Sequence, residues 1–171
     1  MASPRKSRAG DEPTVGPQGR LRRGNLQMLI LLLGQFALGI ATNLYVKIPA
    51  KHPGAHAGGY FSGLAQGIGW VIPNGAVVLA AHAALGLALI LVGLDLLVVS
   101  IVTKSLARRA GVVSAHLVGV LAIIGAGFNG VSFLNYSHNV SSLVMALLFA
   151  LAVACYVVAL YLLPPRAVTA R

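Results

Sequence analysis

Residues 76–111 read AVVLAAHAALGLALILVGLDLLVVSIVTKSLARRAG. As far as Val102 the stretch is almost wholly apolar. At 1.5 Å per residue it is long enough to cross roughly 30 Å of hydrocarbon. It then breaks into a turn, 103–111, that carries Lys104, Arg108 and Arg109. A long apolar run closed by a short basic turn marks a membrane span that ends on the cytoplasmic face.

Working outward, three more runs of spanning length appear, at about 25–46, 112–134 and 142–163. The predicted class is therefore all-α: a polytopic membrane protein built as a four-transmembrane-helix bundle. Residues 1–24 are rich in Pro, Gly, Ser and Arg without apolar periodicity, and are expected to form a disordered basic tail. Pro164 and Pro165 end the fourth span, because neither can donate an amide hydrogen, and leave a short tail, 164–171. No signal-peptide cleavage pattern follows the first run, so a retained helix is expected there.

Composition agrees with this reading. The chain has 171 residues, of which 57% are hydrophobic and 9% charged. Soluble domains carry roughly a quarter charged residues, so the solvent for this surface is lipid. The net charge of +10 sits in tails and short turns beside apolar runs. That placement is a topology signal and an attraction to anionic headgroups, and it excludes a folded basic surface for nucleic acid. The single cysteine, Cys155, lies in an apolar run, so it forms no intrachain disulfide and offers no cysteine metal site.

The loop 47–75 differs from the other connections. It is Gly-rich and polar, with Lys47, Lys51, His52 and His56. Within it Phe61, Leu64, Ile68, Val71 and Ile72 recur at helical spacing, with Ser62 and Gln66 on another side. This predicts an interfacial helix over 60–72, with Tyr60 and Trp70 in the headgroup zone. The amino tail, the 103–111 turn and the carboxyl tail are all basic, whereas 135–141 has no Lys or Arg. Both termini are therefore expected in the cytoplasm, with the loop 47–75 outside. The Ala-, Val- and Arg-rich composition points to a bacterial inner membrane. Asn135 and Asn139 each begin an Asn-x-Ser triplet, which in so short a turn is read as a chance match.

Function would have to reside in polar groups inside the bilayer, where they are costly and usually have partners. In an antiparallel hairpin, residues whose numbers share one sum lie level. His82 with Asn129, and Asp95 with His116, share the same sum. Asp95 and His116 are the candidate ligand or proton pair near the cytoplasmic face. The alternative for them is a structural cross-helix bond. Asn43, His82 and Asn129 form a candidate external polar layer. His82 and Asp95 point about 140° apart around their helix, so both pairs cannot lie squarely on one seam.

No metal site is predicted, because the external histidines lack a carboxylate or thiol to complete a coordination sphere. No cofactor is predicted either. His82 and His116 lie at different depths and cannot share a haem, which leaves only a haem held by His82 and a loop histidine. Gly125-x-Gly127 lies inside an apolar run without a preceding strand, so it is not a dinucleotide fingerprint. No catalytic constellation appears. Ala146, Ala150 and Ala154, with glycines on the first and third spans, are read as bundle packing. The leading expectation is an accessory or structural subunit that packs against other membrane subunits or itself. The alternative is a bundle with its own proton, haem or small-ligand site.

A reporter active only outside the cytoplasm should work when fused after Gly58 or Ser137 and fail after Arg109 or Arg171. Activity at Arg171 would overturn the four-span topology.

Overall fold

The computed structural model describes residues 16–55, 57–106 and 108–163. Five helices follow in order: α1 (Pro17–Tyr45), α2 (Tyr60–Asn74), α3 (Val77–Val102), α4 (Arg109–Tyr136) and α5 (Asn139–Leu162). Among the described residues there is no strand. Four helices, α1, α3, α4 and α5, are long and apolar enough to cross a membrane. The expected four-helix membrane bundle is the architecture observed.

The expected tail is the first correction. Of residues 1–24, 1–15 lie outside the described residues, but the helix begins at Pro17. Pro at the first position of a helix loses no intrahelical bond and arrives with its φ already helical. Arg20, Arg22 and Arg23 therefore ride on the first two turns of α1. Their long stems allow the charges to reach water while the backbone stays in register with the span. Residues 164–171 also lie outside the described residues.

Neighbouring pairs are α1 with α3, α3 with α4, α4 with α5, and α5 with α1. The ring is closed, with α1 facing α4 and α3 facing α5 across the centre. Each wall is built on alternating three- and four-residue steps. On α1 the inward positions are Leu21, Asn25, Met28 and Leu32, all buried. On α3 they include Leu79, Leu89, Gly93, Leu96 and Ser100. A mean step of 3.5 residues keeps one stripe facing a partner along antiparallel or parallel helices.

The four helices meet most closely around Gly93. A Cβ built there would stand 2.7 Å from the Tyr156 hydroxyl of α5, 2.9 Å from Val120 of α4 and 3.2 Å from Met28 of α1. Gly119 of α4 forms the other wall of the slot, 3.0 Å from the same tyrosine ring on the same measure. Tyr156, fully buried, thus wedges between two glycines. Small residues here permit close backbone approach, the main source of helix association in lipid.

α2 crosses the end of the bundle opposite the 103–108 turn and packs on α3 and α4. It buries Gly63, Leu64, Gly67 and Val71, while Phe61 and Ile72 of the expected stripe are exposed. The buried face is thus rotated toward the glycines. The preceding loop is clasped to it. His52 stacks on Trp70 with ring centroids 4.8 Å apart, and its Nε2 meets the Leu134 carbonyl at 3.2 Å. Asn135 donates from Nδ2 to the Gly63 carbonyl at 3.0 Å. Its amide is therefore committed to the fold. Gly54 turns the chain with φ of 101° beneath α2, where a side chain would strike the Gly63 carbonyl.

Gly93→Ala should cost about 1–3 kcal/mol through overpacking. Gly127→Ala, with nothing within 4 Å of the added carbon, should be neutral or gain up to about 1 kcal/mol from helix propensity. Thermal unfolding in one detergent checks both, and equal behaviour of the two variants would refute the slot.

Candidate functional site

Two of the fully buried polar side chains of the bundle, a histidine on α4 and an asparagine on α1, are joined to each other. Asn25 and His116 are both fully buried. Asn25 donates from Nδ2 to the Leu21 carbonyl one turn earlier at 2.9 Å. That contact turns Oδ1 toward α4, where His116 donates from Nε2 at 3.2 Å. With Oδ1 facing it, Nε2 is the ring nitrogen that carries a proton. His116 Nδ1 and the Tyr156 hydroxyl are both buried without a hydrogen-bond partner among the described residues. Their rings lie 5.8 Å apart.

The structure does not bring Asp95 and His116 together. Gly93 of α3 packs on Val120 of α4, which brings Asp95 and His116 within about a turn of each other along the bundle, but they face different ways. Asp95 lies one residue off the inward stripe and opens outward between α3 and α1. There it pairs with Arg20 at 3.8 Å, and the two side chains are 61% and 69% exposed. The carboxylate thus finds a cation on the helix turn expected to be disordered.

The external layer also resolves differently. His82 faces α1, where Gln35 Nε2 stands 3.4 Å from its Nε2 and Gly39 lies under its ring. Asn129 turns back on its own helix and donates to the Gly125 carbonyl at 2.9 Å. Asn43 is exposed. Ser132 bonds the Tyr60 hydroxyl at 3.0 Å. Asn43, His82 and Asn129 therefore do not form one site. His52 faces a backbone carbonyl and His138 stacks on Tyr136, while His56 lies outside the described residues. A haem between His82 and His52 has no support in this arrangement, because Gln35 and the Leu134 carbonyl occupy the two Nε2 atoms. Among the described residues no three His, Cys, Asp or Glu side chains gather closely enough to hold a metal.

Two residues of the polar centre were not singled out from sequence, Asn25 and Tyr156. A signal for the first exists. Leu21, Asn25, Met28, Leu32, Gln35, Gly39 and Thr42 alternate steps of four and three, the spacing of an inward seam. Asn25 and His116 also stand nearly equally far from the starts of two parallel helices. No comparable signal picks out Tyr156 from other aromatic residues in apolar runs.

No family model matches the chain, and no similar characterised protein or solved structure was found.

A double-mutant cycle on Asn25→Ala and His116→Ala should give a coupling of about 0.6–2 kcal/mol, the range for interhelical hydrogen bonds in membranes. Thermal unfolding of the four proteins measures it. Strict additivity would mean that the bond contributes nothing.

Proposed function

We propose that this protein is an accessory or structural unit of a membrane assembly, held in the bilayer with both termini in the cytoplasm. The observation that carries the reading is how the intramembrane polar groups are used. Asn25 holds His116, Gln35 faces His82, Arg20 holds Asp95, and Asn129 returns to its own backbone. The pairs at His116 and His82 join helix to helix within the span, and neither lines a cavity as a substrate site does. The basic residues of α1 and the 103–108 turn favour the cytoplasmic placement of that end.

The surface supports packing against another chain. Ala146, Ala150 and Ala154 were expected to pack inside the bundle, yet all three are exposed on α5. They make a shallow ridge between Leu143, Leu147 and Leu151 on the outer face. Small residues four apart on a lipid-facing surface allow a second helix to approach closely.

A second reading, a proton or small polar ligand site, is favoured by one observation. His116 Nδ1 and the Tyr156 hydroxyl lie near each other in the sealed centre without partners. A polar molecule between them would satisfy both.

Cysteine cross-linking in native membranes tests the first reading. With Cys155→Ala as background, Leu147→Cys should yield a disulfide-linked dimer or a defined heteromeric adduct, and adding Ala150→Leu should abolish it. No adduct at α5, together with a Soret band or a stoichiometric bound ligand in the purified protein, would replace the accessory reading with the ligand reading.

A further inference from the structure

The groove between α1 and α3 at the basic end belongs to none of the helix-to-helix bonds of the bundle centre. A cavity of about 420 Å³ is bounded by Arg20, Arg23, Gln27 and Asp95, with Leu96 and Val99 as its apolar floor. It runs on, sharing Arg20 and Val99, into a second hollow of about 620 Å³ that reaches Lys104. Three cations and one carboxylate therefore line two adjoining hollows that together form the trough. Its mouth is fixed by Gln18, which donates from Nε2 to the Ser105 carbonyl at 3.1 Å and ties the start of α1 to the turn after α3.

The trough has the polarity of a phospholipid. Its cations lie within two turns of the helix ends, where a spanning helix leaves the hydrocarbon for the headgroup zone. One turn deeper on the same faces, Gln27 and Asp95 give way to Leu31 and Val92, because residues three or four apart share a face. A free anion would use only the rim, whereas a lipid uses rim and floor together. Basic pockets between membrane helices on the cytoplasmic side take anionic headgroups by this combination. Arg20 has donors to spare. Its contact with Asp95, at 3.8 Å, is longer than the roughly 2.7–2.9 Å of a tight charge-assisted bond, and a guanidinium carries five N–H groups.

We infer that this groove is a binding site for one anionic phospholipid, whose phosphate is taken by Arg20, Arg23 and Lys104. Asp95 competes with that phosphate for Arg20 and also keeps the arginine against the groove wall when no lipid is bound. The inference stands apart from the accessory reading, since a bundle with any function could carry such a site.

Native mass spectrometry of the full chain in detergent, titrated with phosphatidylglycerol and with phosphatidylcholine of identical acyl chains, tests it. One phosphatidylglycerol should bind per chain, at least about tenfold more tightly than phosphatidylcholine. Arg20→Gln with Arg23→Gln should weaken binding by about tenfold or more, since each basic residue near an anionic headgroup contributes about one such decade or less. Arg22→Gln with Arg108→Gln removes the same charge at the same end outside the groove, and should change affinity by less than about twofold. Asp95→Asn should strengthen binding. Equal losses in the two double variants would reduce the effect to bulk charge and overturn the site. Inorganic phosphate displacing the lipid at equal concentration would make it a free-anion site and overturn the lipid assignment. Binding that appears only after removal of residues 1–15 would identify the tail as the occupant and overturn it as well. Thermal unfolding of each variant in the same detergent separates loss of binding from loss of fold.

Discussion

The hydrogen bond from His116 to Asn25 joins the two helices that face each other across the bundle without being neighbours in the ring. Lipid tails are as apolar as leucine, so helices in a bilayer gain little by hiding apolar faces from their solvent. Packing and polar contacts must then fix which faces turn inward. A bond across the diagonal constrains more than one between neighbours, because it sets the rotation of α1 and α4 at once. The bond also requires a narrow centre. The glycines at 93 and 119 provide it by letting α3, α4 and α5 close around the Tyr156 ring.

The spans and their number were legible because hydrocarbon thickness imposes a length and forbids unpaired backbone. Azimuth was not. A soluble helix announces its inner face by contrast with a polar outer face, but here both faces are apolar. Asp95 and His116, expected to form a pair from their numbering, open in different directions. His82 and Asp95 illustrate the same limit. One belongs to the inward stripe of α3 and the other lies beside it, and hydropathy values do not separate the two positions. The information that remained lay in the alternating three- and four-residue spacing of small and polar residues on α1.

The start of α1 departs from the expected tail for a related reason. Arg20, Arg22 and Arg23 read as tail because charge ends an apolar run. A membrane helix need not end where its hydrocarbon segment ends, because arginine stems span the interface while their heads stay wet. Extending α1 back to Pro17 placed Asn25 two turns inside the helix and supplied Arg20 to Asp95. At the other end, the interfacial helix was foreseen from Tyr60, Trp70 and the apolar stripe. Its inward face was set instead by Gly63 and Gly67, over which the loop at Gly54 and the side chain of Asn135 could close. Absence of a side chain is invisible to an argument that searches for apolar ones.

The protein thus keeps its ionisable groups in two distinct environments. His116 is sealed at the centre, bonded to its asparagine partner, and reachable only through packed side chains. Asp95 opens sideways on the outside of the bundle, beside Arg20 and Arg23. A carboxylate at the centre would have required a cation there, with desolvation of both charges. Rotating it one position off the seam exchanges that cost for an exposed ion pair with Arg20 on the outside of the bundle. Leu96, the next residue, then occupies the inward position and packs on Gly24 of α1. The same step along α3 therefore leaves an apolar seam inside and a charged groove outside, so that adjacent residues of one spanning helix serve its core and its surface.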